Sequence, residues 1–348
     1  MPKPALLFIG NHFSDGEHNQ NAWQDLAYHL RKAGYSVITT SAKKNKILRL
    51  WDMLNTILRR RNDYELVQVD VFSGPAFMWA FLSVLLAKKL HKPVILTLHG
   101  GNLPEYARSH LRSVKWLLNQ AEAVTAPSGY LQEAMRPYRK DIQLIPNALD
   151  ISKYPFKLRK HAQPQLIWLR AFHRIYNPEL AIRLVHILKK EYPDIHLIMV
   201  GPDKGDGSLQ NCQVLAAELG VADRVEFSGK VAKADVPGWL NIADIFINTT
   251  NYDNTPVSVM EAMACGLCVV STNVGGMPYL LENEVNGLLV DPQQPEEMAR
   301  AVKNLLKNPD LAEKLSMNAR KNAEKFDWVF VISHWEAILL EVGKKSKN

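Results

Sequence analysis

The chain has 348 residues, 47% hydrophobic and 22% charged. That is the balance of a soluble globular protein with enough chain for two cores, and it excludes a disordered or fibrous class. The formal net charge of +7 points to an anionic partner, a phosphorylated substrate or lipid headgroups. With no zinc-finger spacing and no basic stripe interleaved with aromatics, nucleic acid is not expected as a partner.

Met1-Pro2-Lys3-Pro4 leads directly into a short apolar strand, so no secretory leader is expected. Short β-rich apolar runs then recur at 5–10, 36–40, 65–70, 93–98, 122–126 and 142–145, with helix-period segments between them. Ala22, Trp23, Leu26, Ala27 and Leu30 form one such stripe. The same rhythm restarts at 165–170 and continues through 196–200, 224–228, 245–248, 268–271 and 287–290. Buried strands alternating with helices predict parallel sheets. The fold class is therefore α/β, two Rossmann-like doubly wound domains facing across a cleft, with ligands at the carboxyl ends of the strands. Domains are expected at 1–150 and 165–325, with a basic, proline-containing linker at 151–164 and a terminal helical segment at 326–348.

Four segments stand out before the second domain. Lys43, Lys44, Lys46, Arg49, Arg59, Arg60 and Arg61 flank an apolar stripe of Ile47, Leu50, Trp51, Leu54, Ile57 and Leu58. A basic amphipathic helix with Trp fits either a sheet-packed helix with a solvated rim or the anionic inner face of a membrane. The run 76–87 is about a dozen apolar residues where a membrane span needs ~20, so a buried core helix is expected there. His99, in Leu98-His99-Gly100-Gly101, ends an apolar strand, the address of a ligand residue or of a hydrogen-bonded rim histidine. Gly10 and Asn11 open the first strand-to-helix loop, which can present amides to an anion but lacks GxGxxG spacing.

The most informative stretch is Asp253-Asn254-Thr255-Pro256-Val257-Ser258-Val259-Met260-Glu261. Pro256 suits the first turn of a helix that Gly266 ends. Taken alone, Asp253 reads as a turn residue and Glu261 as a solvent-facing helix residue. Together they flank a helix N-terminus whose amides and dipole attract anions. Carboxylates that grip hydroxyls, next to amides that hold phosphate, fit a nucleotide-sugar. The Gly275-Gly276 loop and Asn286-Gly287 follow. Cys265-Gly266-Leu267-Cys268 sits where a helix ends, which argues for packing over redox or zinc chemistry. The cysteine count of three fits a reducing cytoplasm.

Residues 251–292 resemble the donor-binding signature of the family-4 retaining glycosyltransferases, which have the GT-B fold, and a weaker resemblance extends over nearly the whole chain. It implies transfer of a hexosyl unit from a nucleotide-sugar donor to a glycan or lipid-linked acceptor, with retention. By that resemblance Asp253 holds donor-sugar hydroxyls, Glu261 the ribose, and the Thr255 and Val257 amides the sugar or diphosphate. Asn254, Pro256, Gly275, Gly276, Gly10 and Asn11 complete the donor set. His99 positions the sugar, and the terminal helix crosses back to the first domain. Arg170 matches the first of two diphosphate cations. Ile175 stands where relatives carry lysine, leaving Arg174 as the candidate second cation. Asp253 is one methylene shorter than the family's usual glutamate. No Asp-x-Asp occurs, and no metal or other cofactor is expected. The rival readings are a nucleotide-sugar epimerase of the same plan and a catalytically inactive sugar-nucleotide-binding or membrane-associated protein. The protein is expected in the cytoplasm, with peripheral contact to the membrane through residues 43–61.

Overall fold

The computed structural model describes residues 3–10 and 22–345. The twelve expected strands all form, each within a residue of its expected ends. They are β1 (Leu6–Ile9), β2 (Val37–Thr40), β3 (Leu66–Val71), β4 (Val94–Leu98), β5 (Ala123–Ala126), β6 (Ile142–Leu144), β7 (Gln165–Leu169), β8 (His196–Val200), β9 (Val225–Gly229), β10 (Ile245–Asn248), β11 (Cys268–Thr272) and β12 (Leu288–Val290). They make two six-stranded parallel sheets, ordered β2-β1-β3-β4-β5-β6 and β12-β11-β10-β7-β8-β9. The chain divides into two compact units, one of residues up to Ala148 plus Trp328 onward, the other Leu149–Asp327.

Both faces of each sheet are buried, which is why the strands read as unbroken apolar runs. In β1, Leu7 and Ile9 enter one core while Leu6 and Phe8 enter another. In β7, Leu166 and Trp168 face one way, Ile167 and Leu169 the other. Helix Ala22–Lys32 contributes Leu26, Ala27 and Leu30 to the core behind Leu6 and Phe8. Helix Trp328–Lys345 covers the same face with Trp328, Val331, Trp335, Ile338, Leu339 and Val342. The apolar run at 76–87 is a core helix, Pro75–Lys89, that buries Phe77, Ala80, Val84 and Ala87.

Two expectations need correction. Residues 151–164 are no linker. Arg159 is fully buried and donates to the carbonyls of Cys265 and Ala243 (2.9 Å for the second) and to Asn241 Oδ1 (3.0 Å). Phe156 and Lys157 press so closely on Gly266 that a Cβ there would stand 2.5 Å from the Phe156 ring. Besides Arg159 the segment buries only the scattered Ile151, Tyr154 and Ala162, so it has no apolar period and its composition resembles a linker. The stripe on helix Lys46–Arg59 also divides differently. Met53 and Ile57 face the core, whereas Ile47, Leu48, Trp51 and Leu58 are exposed. Arg49 is not on the basic rim: it is buried, donates to the Lys43 carbonyl at 2.7 Å and lies over the Trp79 ring.

Candidate functional site

Each sheet has one place where successive connections leave in opposite directions, and the loops there diverge to open a crevice. In the second unit it lies between β7 and β10, so the loops after Leu169 and Asn248 meet. They carry Arg170 and Asp253, which form a salt bridge. The loops are joined by buried hydroxyls. Thr249 Oγ1 accepts from Trp168 Nε1 (2.9 Å) and donates to the Tyr176 carbonyl (2.7 Å). The Asn251 N–H donates to the Ile175 carbonyl at 2.9 Å. The Arg170 guanidinium stacks over the Tyr176 ring, 4.3 Å from its centroid. Burial pushes its pKa down, while Tyr176 and the nearby Glu261 carboxylate pull it back up. Asp253 is thus a paired carboxylate in this structure.

Pro256 stands one position earlier than expected, at the N-cap of helix Val257–Ala264, and its carbonyl accepts from the Val259 N–H at 3.1 Å. Glu261, one turn in, is buried at 2% exposure. Its Oε1 accepts from both the Tyr154 hydroxyl and Lys233 Nζ. Asn254 is buried and Thr255 and Val257 half-buried at the same helix start. Gly275 and Gly276 make room for that loop: Cβ atoms there would lie 2.1 Å from the Asp253 carbonyl oxygen and 1.6 Å from that of Asn254. Only glycine lets the two loops pack, and Gly276 N–H donates to Asp253 O at 3.1 Å.

Arg174 makes no side-chain ion pair with this cluster, although its carbonyl reaches the loop after β10 and accepts from Asn251 Nδ2 at 3.4 Å. Its backbone N–H donates to Asp206 at 2.9 Å, and its side chain is exposed with no ion pair among the described residues. That backbone bond, with help from Ser208, holds the Asp206 carboxyl down at about 2. Sequence reasoning missed Lys233 and Tyr154. Lys233 follows the carboxyl end of β9, a ligand address that could have flagged it, whereas Tyr154 sat in the supposed linker. Cys265 and Cys268 are buried, and burial pushes both thiols up to about 12, which fits packing and not redox chemistry.

The first unit has its own crevice, between β1 and β3. Gly10 lies there beside Asp70 and Phe72; Asn11 lies outside the described residues. Beyond β4, His99 Nε2 donates to Asp70 Oδ1 at 3.1 Å, because a carboxylate oxygen accepts. Phe72 stacks on the His99 ring, centroids 4.9 Å apart. Gln68 Nε2 donates to Asp70 Oδ1 and to Thr97 Oγ1, both at 2.9 Å. Gln68 Oε1 and Asp70 Oδ2 are buried without a hydrogen-bond partner. Among the described residues no group of three or more His, Cys, Asp or Glu is placed to hold a metal.

A model of glycosyl transferases group 1 matches residues 150–322, and one of Glycosyltransferase Family 4 matches residues 14–153. A D-inositol 3-phosphate glycosyltransferase of Paenarthrobacter aurescens (strain TC1) is 25% identical over a stretch covering 72% of this chain and 65% of that relative. The chain spans at most 65% of the length of such curated relatives. HepE of Anabaena, solved in complex with UDP and glucose, matches with a TM-score of 0.76 at 18% identity, covering 97% of this chain and 100% of that one. Sucrose-phosphate synthase of Thermosynechococcus elongatus gives 0.80 at 18% identity, covering 98% and 99%. These two structures share the fold. Two adjoining family models that together run from residue 14 to residue 322 decide the rest: the chain belongs to the group 1, family 4 glycosyltransferases.

Proposed function

We propose that the chain transfers a hexosyl unit from a nucleotide-sugar to a glycan or lipid-linked acceptor, with retention and without a metal. The observation that carries this reading is the charged cluster of Arg170, Asp253 and Glu261 at the crevice of the second sheet, beside a helix N-terminus. Glu261 Oε2 takes a ribose hydroxyl. Asp253 takes hydroxyls of the donor sugar once Arg170 turns to the diphosphate. Charge growing on the leaving group is met by Arg170 and by amides at the start of helix Val257–Ala264. The leaving phosphate itself serves as the base toward the acceptor hydroxyl. In the first unit, His99 positions the sugar and Asp70 orients His99.

The acceptor side of the proposal rests on the first unit. Beside Ile47, Leu48, Trp51 and Leu58 stand the exposed Lys43, Lys46, Arg59 and Arg61, a pairing suited to an anionic membrane surface. No helix among the described residues is long and apolar enough to cross a membrane.

The test is a thermal-shift panel of nucleotide-sugars, with UDP-glucose first because HepE was solved with UDP and glucose. A donor at 100 times its dissociation constant stabilises by ~2.7 kcal/mol, enough to raise the melting temperature by several degrees. The donor identified should then be consumed only with acceptor present. Conversion without acceptor would favour the epimerase reading, and no shift with any donor would refute nucleotide-sugar binding.

A further inference from the structure

The carboxylates and cations of the second unit's cluster cancel. Arg170 is held by Asp253 and Lys233 by Glu261, each pair formally neutral. The two pairs are neighbours, since Glu261 acts electrostatically on Arg170. A nucleoside diphosphate carries both kinds of group that such pairs would exchange for, hydroxyls for the carboxylates and phosphate oxygens for the cations. Glu261 is fixed on a helix and buried at 2% exposure. Lys233 is its opposite: its side chain is 43% exposed and reaches in from the short turn Lys233–Asp235 on a four-carbon stem. Of the two partners, only the lysine is free to move. Ribose arriving at Glu261 competes with the ammonium for the carboxylate, and the displaced ammonium then stands beside the phosphates.

Resting on the donor reading above, we propose that Lys233 is a diphosphate-binding residue. It supplies a second cation where Ile175 carries none and, unlike the Arg174 side chain, it is already paired with a carboxylate of the cluster. The neutral pair with Glu261 is its resting position, and donor binding exchanges that carboxylate for phosphate oxygens. Glu261 thereby changes from holding a cation to holding a ribose, and the crevice gains positive charge only when an anion arrives.

The experiment compares the parent, Lys233→Gln and Lys233→Arg. UDP, GDP and ADP are titrated by calorimetry at low and high salt. The matching nucleosides, uridine, guanosine and adenosine, are followed by saturation-transfer NMR. For whichever diphosphate the parent binds, Lys233→Gln should weaken binding at least about tenfold, the loss of one charge-assisted contact. Its affinity for the nucleoside should be kept, its salt dependence should flatten, and Lys233→Arg should restore part of the loss. Equal weakening of nucleoside and diphosphate would overturn the proposal, because the lysine would then act only through Glu261. Unchanged diphosphate binding would overturn it too, while leaving the donor reading intact. A parent that binds none of the diphosphates would overturn both.

Discussion

Asp70 is a buried carboxylate with one oxygen on His99 and Gln68 and the other without a partner. Its hold on Nε2 fixes the His99 tautomer and leaves Nδ1 as an acceptor, which the proposed function assigns to a sugar hydroxyl. Asp70→Asn keeps the shape but can turn an N–H₂ toward Nε2, which reverses the tautomer and takes that acceptor away. Transfer rate should fall at least about tenfold, as for loss of one hydrogen bond aimed at the reacting sugar. Nucleoside diphosphate affinity, which depends on the other unit in the proposal, should not change. Rate and affinity falling together would point to general damage instead of misorientation. None of this was legible in the sequence. His99 drew notice as the end of a strand, but its partner is 29 positions away and became visible only once β3 and β4 were paired.

Among the elements, helix Lys46–Arg59 has an inward and an outward apolar face, and the proposed membrane contact concerns only the outward one. Each Lys or Arg near an anionic surface contributes ~1 kcal/mol. Replacing Arg59, Arg60 and Arg61 by Gln should therefore weaken co-sedimentation with anionic vesicles at least about tenfold. Melting should be unchanged, because all three side chains are exposed. Indifference to vesicle charge, or no binding by the parent, would leave Trp51 and Leu48 as mere surface. The same helix marks what a pattern can and cannot tell. Period 3.6 announced a helix with an apolar stripe, yet the buried Met53 and Arg49 were not counted in the stripe. Strands fared better: a parallel strand buried on both faces is an apolar run whatever its neighbours, so all twelve were readable. Arg170 was readable because it stands just beyond a strand end, and Asp253 and Glu261 because they flank a helix start marked by Pro256. Lys233, Tyr154 and Arg159 were not, because their roles come from partners 28, 107 and 106 positions away.

For the whole molecule, Leu149–Asp327 is one continuous segment whose ends meet: Leu149 N–H donates to the Phe326 carbonyl at 2.8 Å, and Asp327 Oδ2 accepts from the Ile151 N–H at 3.2 Å. Expressed alone, residues 149–327 should melt cooperatively by circular dichroism. Residues 3–148 alone should not. They lack six buried side chains, from Trp328 to Val342, worth ~1.5–3 kcal/mol apiece, against a net domain stability of ~5–15 kcal/mol. A broad, non-cooperative melt of 149–327 would mean that this unit depends on the other.

The return of helix Trp328–Lys345 to the face of β1 sets an order of events on the ribosome. A chain made from its N-terminus ordinarily completes its first domain first. Here the core around Leu6 and Phe8 stays open until residues 328–342 have been synthesised and have left the ribosome, which they do only after all of Leu149–Asp327. The second unit is the one free to finish early, and the first must wait with an apolar sheet face uncovered. A premature stop just after residue 327 would spare every residue of the Arg170–Glu261 cluster and still ruin the protein, through the half translated first.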